Sequence, residues 1–311
     1  LPGETDSAFY RAIATATDTG DYTVRATNAF GSVTSAVARV TLDPAASRLI
    51  NLSCRTSLAP GALVIPGFMI AGTGRKSVLI RAIGPGLAPV GLTGLLADPQ
   101  IRVFKDTAQI AANDDWDAAQ VGDAFTRLGA FPLPAAGRDA ALLVTLDAPS
   151  GYTAQVSGSN SAAGVVLIEI YDADTASAPT SRLSNVSVRG QSGSADAALI
   201  LGFVLNGNGT RAILARGGGP ALAAFGVTNT LADPQLTVFD AARRAIFGND
   251  DWGSFDFLPQ LETARVLAGA FAYRSASKDS AVLANLAPGS YSVQVAAAGA
   301  STAGGEALLE I

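Results

Sequence analysis

An all-β fold is predicted by three features of the sequence. The 311 residues carry 33 glycines and 15 prolines, which punctuate short apolar runs at the spacing of turns between strands. Many of those runs alternate, as Ile101-Arg102-Val103-Phe104 does, with the period of a strand that buries one face. Finally, the last two-thirds of the chain is one unit written twice. Ser47-Arg48-Leu49 returns as Ser181-Arg182-Leu183, Leu96-Ala97-Asp98-Pro99-Gln100 as Leu231-Ala232-Asp233-Pro234-Gln235, and Asn113-Asp114-Asp115-Trp116 as Asn249-Asp250-Asp251-Trp252. The offset from Ser47 to Ser181 is 134 residues, the length of a domain rather than of a solenoid turn.

Residues 1–43 stand outside the repeat. They hold Asp18-Thr19-Gly20-Asp21-Tyr22-Thr23-Val24 and then, after Gly31, an alternating stretch from Val33 to Leu42. This segment resembles the E, F and G strands of an immunoglobulin-like domain. The resemblance makes Tyr22 the residue of the tyrosine corner and puts Val24 where disulfide-bearing members carry cysteine. A full domain of that kind needs about 100 residues, so the fragment is at most half of one. Either the sequence was cut from a longer array, or the open sheet is completed by a neighbour through strand addition. The start at Leu1, without an initiator Met or a signal-like segment, is expected of a mature or excerpted piece.

After the linker Asp43-Pro44-Ala45-Ala46 come two copies, residues 47–174 and 181–311, joined by Asp174-Thr175-Ala176-Ser177-Ala178-Pro179-Thr180. Each copy has a buried-type run (Val78 to Arg81, Ala212 to Arg216), an alternating run after the Asp-Pro, another at Tyr152 to Val156 or Tyr291 to Val295, and an apolar closing strand at Val165 to Ile170 or Ala307 to Ile311. The stretches Gln120 to Gly129 and Leu258 to Gly269 can each hold a short helix. About eight strands per copy predict tandem β-sandwich, jelly-roll-like domains. Taken with Ala-Asp-Pro, Asn-Asp-Asp-Trp and the Ala287-Pro288-Gly289-Ser290-Tyr291 turn, the unit resembles a sandwich repeat of secreted bacterial surface proteins, similar to the pre-peptidase C-terminal type. That resemblance implies an accessory, non-catalytic module, some relatives of which bind calcium.

Composition narrows the chemistry. Hydrophobic residues make up 49% and charged ones 15%, so the chain can build a core. It has no histidine, which removes Ser-His-Asp and Cys-His catalysis and the usual zinc sites. The one cysteine, Cys54, excludes an intramolecular disulfide, and with Val188 as its counterpart it reads as a small buried apolar residue. A net charge of −5 with no basic stripe excludes a nucleic-acid footprint, and no apolar run is long enough for a membrane span. Abundant Ala, Gly, Ser and Thr with few lysines fit a secreted or cell-surface protein.

The strongest polar constellation is Asp98 with Asn113, Asp114 and Asp115, repeated as Asp233 with Asn249, Asp250 and Asp251. Clustered carboxylate and amide oxygens suit a hard cation such as Ca²⁺, and Asp139 and Asp279 are further candidate ligands. The competing reading is that Asn and Asp cap a turn by bonding their own backbone. Trp116 and Trp252 are either platforms for a sugar ring or plugs of the core. Gly72-Thr73-Gly74-Arg75-Lys76-Ser77 lacks the contiguous Gly-Lys-Ser of a phosphate loop, and its counterpart Asn206-Gly207-Asn208-Gly209-Thr210-Arg211 has no Lys-Ser, so both read as hairpin turns. Arg81 and Arg216, retained before Gly-Pro turns, predict structural ion pairs, with Asp98 and Asp233 as the expected partners. Glycosylation sequons begin at Asn51, Asn185 and Asn208, the first two in expected strands.

Together these features predict a non-enzymatic extracellular structural chain that self-associates into a homo-oligomer or filament, through the N-terminal half domain and end-to-end docking. The alternative is a polysaccharide-binding or adhesion module with Trp116 and Trp252 exposed.

Overall fold

The computed structural model describes residues 16–41, 43, 45–175, 180–299 and 304–311, and within them the fold is all-β. Residues 1–15 of the expected half domain and residues 176–179 of the second linker lie outside the described residues. The N-terminal segment forms four short strands, β1 (Gly20–Tyr22), β2 (Arg25–Asn28), β3 (Gly31–Thr34) and β4 (Ala38–Val40). They pair as two two-stranded sheets, β1 with β4 and β2 with β3. The Tyr22 hydroxyl donates to the Asp18 carbonyl at 2.8 Å, the geometry of a tyrosine corner.

The first copy comprises β5 (Arg48–Leu58), β6 (Gly67–Ile83), β7 (Pro99–Lys105), β8 (Ala108–Asn113), α1 (Ala118–Leu128), β9 (Ala140–Gly158) and β10 (Gly164–Asp172). The second comprises β11 (Ser181–Ser192), β12 (Leu199–Asn206), β13 (Arg211–Gly218), β14 (Pro234–Phe239), β15 (Ala245–Asn249), α2 (Leu258–Leu267), β16 (Ser280–Leu286), β17 (Gly289–Ala297) and β18 (Gly305–Glu310). The long strand β6 corresponds to β12 and β13, and β9 to β16 and β17. The helix α1 starts because the Asp117 carboxylate accepts from the Ala119 amide at 2.9 Å, and it ends at Gly129, which turns left-handed at φ 67°. Its apolar face, Val121, Ala124 and Phe125, has the helical spacing and packs onto the sheet.

The two copies are not separate sheets. All fourteen strands from β5 onward belong to one hydrogen-bonded network, and the joins between copies are reciprocal. The first strand of each copy pairs with the second strand of the other: β5 runs against β12 from Arg48–Asn206 to Arg55–Ile200, and β11 runs against β6 from Ser181–Gly72 to Ser187–Gly67. Between these two seams Leu49 pairs with Leu183. One apolar core extends through both copies, with Leu52, Phe68, Ile80 and Val103 of the first beside Val186, Phe203, Leu236 and Val295 of the second. Two smaller clusters lie under α1 and α2.

Gly72 and Gly207 let the linkers cross these seams. At Gly72 the backbone is left-handed (φ 99°) and a Cβ would overlap the Thr180 carbonyl; at Gly207 (φ 124°) a Cβ would meet the Ala45 carbonyl at 2.5 Å. Hence the expected hairpin at Gly72-Thr73-Gly74-Arg75-Lys76-Ser77 is instead a bulge within β6, since β9 continues alongside as far as Arg75–Asp147 and beyond. In the second copy the same place is a true break between β12 and β13.

Candidate functional site

The repeated motifs converge on one construction, built twice. The strand β6 ends at Ile83 and runs into Gly84-Pro85, where a Cβ on Gly84 would overlap the Leu96 carbonyl; Gly219 meets Leu231 in the same way. Glycine is thus required where the Leu-Ala-Asp-Pro-Gln segment crosses. Asp139 and Asp279 close this turn: Asp139, fully buried, accepts from the Gly84 and Gly86 amides at 2.8 and 3.0 Å, and Asp279 from Gly219 and Ala221 at 2.7 and 3.1 Å. Burial pushes the Asp139 carboxyl above the ordinary carboxylate range, opposed by those backbone donors and by the Arg81 charge.

The Asn-Asp-Asp-Trp loop is clasped to the same aspartates. The backbone amides of Trp116 and Trp252 donate to the carbonyls of Asp139 and Asp279 at 2.9 and 2.8 Å. Asn113 uses both ends of its amide, donating to the Asp115 carbonyl at 2.9 Å and accepting from the Ala141 amide at 2.8 Å; Asn249 does likewise with Asp251 and Ala281, at 3.0 Å each. These asparagines therefore close their own turn and tie it to the next strand.

The carboxylates expected as calcium ligands are distributed along the edge of this loop. Asp98 pairs with Arg138 at 2.8 Å, and Lys278 lies 3.0 Å from Asp251 and 3.8 Å from Asp233. Asp114 accepts from the Gln100 side chain at 3.5 Å, while Asp115 and Asp250 are exposed. Among the described residues no group of three or more Asp, Glu or Cys side chains is placed to hold a metal ion.

Both indoles pack inward. Trp252 is 9% exposed, sits edge-on to Tyr273 and donates its ring N–H to the Arg274 carbonyl at 3.2 Å. Trp116, half-buried, stacks on Phe125 at 5.3 Å and donates to the Pro134 carbonyl at 3.1 Å. Trp252 thus has no free face for a sugar ring to stack on, because that face is spent on the cluster under α2.

Arg81 and Arg216 form the buried ion pairs expected of them, but with other acids than Asp98 and Asp233. Arg216 pairs with Glu310 at 2.8 Å, donates to the Phe271 carbonyl at 2.6 Å, and lies 4.5 and 4.1 Å from the ring centres of Phe271 and Tyr273. Arg81 has Glu169 at 3.4 Å, the Phe131 carbonyl at 2.9 Å, and the rings of Phe125 and Phe131 each at 4.5 Å. Burial pushes Glu169 up and Arg81 down, each shift opposed by the partner's charge. The closing strands β10 and β18 supply these acids because they pair with β6 and β13 at Glu169–Arg81 and Glu310–Arg216. A glutamate within each apolar closing run, Val165 to Ile170 and Ala307 to Ile311, was the signal in the sequence.

Lys76, expected from the sequence only as part of a glycine-rich turn, is a further buried cation. Its ammonium is fully buried 2.8 Å from carboxylate oxygens of both Asp172 and Asp174, with Arg48 3.8 Å from Asp172. Arg211 takes its place in the second copy. Chemically, the duplicated machinery satisfies buried backbone donors and compensates buried charge.

In comparison with known proteins, no family model matches this chain and no curated protein shows significant similarity to it.

Proposed function

We propose that the chain is a non-enzymatic structural protein of an extracellular or cell-surface assembly, in which the two fused copies form a stiff unit and the N-terminal strands join one molecule to the next. The observation that carries this reading is the pair of reciprocal seams: each copy completes the other's sheet, so the copies cannot swing about a linker as beads on a string would. Most of the repeated polar motif is engaged in closing turns inside each copy, as expected of a structural part rather than of a reaction centre. The joining role rests on residues 16–41, where Phe30, in the turn between β2 and β3, is 99% exposed and Val33 69%, on sheets that are two-stranded among the described residues. Among the described residues no helix is long and apolar enough to cross a membrane.

Sedimentation velocity over a wide concentration range tests the proposal. The chain should form larger species as concentration rises, and a Phe30→Asp, Val33→Asp variant should stay monomeric with unchanged melting of the repeats. A wild-type chain that remains a monomer throughout contradicts it.

A further inference from the structure

The two seams differ most at the end away from the linkers. The β5–β12 seam includes the pairs Cys54–Leu201 and Arg55–Ile200, whereas the β11–β6 seam stops at Ser187–Gly67, two pairs short. The missing partners would be Val188 with Pro66 and Arg189 with Ile65. Pro66 stands where the second copy has Leu201, and it ends the ladder: it accepts from the Ala154 amide but has no N–H to return. Beyond Gly67 the two edges part, and the gap between them is a groove of about 630 Å³ lined by Leu58, Leu63 and Ile65 on one side and Leu222, Phe225 and Phe271 among those on the other.

Among the described residues, both walls of this groove present backbone without a hydrogen-bond partner. Val64 exchanges both of its backbone hydrogen bonds with Val156, so the alternation of an extended chain turns the N–H and C=O of Leu63 and Ile65 the other way, into the groove. On the opposite wall Val186 exchanges both of its bonds with Ile311, and β11 continues in register with β18 to Ser192. The backbone groups of Arg189 and Gln191 therefore face away from β18, toward Leu63 and Ile65. Leu63 is 52% and Phe225 64% exposed, large apolar side chains left open at the mouth, with the Arg189–Glu306 ion pair beside them at 3.3 Å.

We infer that this open seam is a strand-acceptor site for one extended, apolar segment of another polypeptide, which would lie between the two edges. The backbone decides the class of ligand: two facing rows of free N–H and C=O groups are matched by a peptide main chain and by neither an acyl chain nor a sugar. Apolar side chains of the guest would take the places beside Leu63, Phe225 and Phe271. The inference does not depend on self-association through residues 16–41, and the two fail separately.

The probe is a pool of end-blocked octapeptides in which Thr or Ser alternates with Val, Ile or Leu, added to the full chain while amide exchange is followed residue by residue. The pool should slow exchange at the Leu63, Ile65, Arg189 and Gln191 amides by about tenfold or more. A Leu63→Asp variant, altered at an exposed position, should melt as the wild type does and lose that protection. If the pool leaves the four amides unprotected, the inference is overturned. Dodecanoate displacing an apolar dye from the groove while the peptides protect nothing would overturn it too, and make the groove a lipid site.

Discussion

Leu49 pairs with Leu183, its own counterpart one repeat later. In an antiparallel pairing such self-equivalence occurs only where a pseudo-two-fold axis passes, and the seams on either side of it follow the same symmetry: Leu52–Phe203 in one, Val186–Phe68 in the other. The duplication thus has the geometry of a symmetric dimer joined into one chain.

Truncating a seam residue should therefore weaken both copies at once. Phe203→Ala removes a ring that is 1% exposed, stacked on Tyr291 and set in the common core, at a cost of about 3–5 kcal/mol. Urea unfolding should show one transition displaced to lower denaturant. Loss of the second copy alone, with the first unmoved, would disagree.

Two glycines with similar left-handed backbones should respond differently to alanine. At Gly226 (φ 82°) a Cβ meets open space, so the cost is the conformational one, about 1–2 kcal/mol. At Gly72 (φ 99°) the Cβ also overlaps the Thr180 carbonyl, where the linker crosses the seam, so Gly72→Ala should cost clearly more than Gly226→Ala. Equal melting temperatures would argue that the crossing is loose.

Glu310→Gln strands the buried Arg216 charge and should destabilise by about 3–5 kcal/mol, although the two are bonded at only one oxygen. Chemical denaturation reads this directly. A loss within the range of an exposed pair, up to about 1 kcal/mol, would mean that water reaches the guanidinium.

The Glu169 carboxyl is raised by burial above its ordinary value of 4.5, so the folded state holds its proton to higher pH than the unfolded state does. Such a group favours folding more as pH falls from the folded value toward 4.5, and that contribution is lost as pH rises through the folded value. Relative to Glu169→Gln, which titrates nothing at this position, the wild type should gain stability as pH falls across that window. A relative loss would show that Arg81 outweighs the burial.

How far the fold was legible depends on what kind of interaction set it. Alternating runs announced β7 and β14, and the stretch Gln120 to Gly129 was expected to hold a short helix, which the structure extends to Ala118–Leu128 as α1, because those signals are local. The partner of β5 was not legible: Arg48 to Leu58 has the pattern of a strand but nothing in it says that its neighbour lies more than a hundred residues on, in β12. Likewise Asp98 and Asp233 were the obvious acids for Arg81 and Arg216 by motif, yet pairing register brought Glu169 and Glu310 instead. Of the candidate site, the asparagines' turn-closing role could be read from residue type, whereas the clasp to Ala141 and Ala281 depends on the next strand, which begins only beyond an intervening helix.

Cys54 lies in the β5–β12 seam, and burial pushes its thiol up to about 12, so at neutral pH it is protonated and enclosed. Iodoacetamide should leave it unlabelled in the native chain and modify it only at the rate at which the seam opens. Rapid labelling of folded protein would show that this seam breathes.

Differential scanning calorimetry of residues 47–311 within the intact chain tests most directly whether the two copies are one body. Reciprocal seams and a shared core predict a single transition for the repeats, with calorimetric and van't Hoff enthalpies equal. Two resolved transitions, one for each copy, would contradict the account.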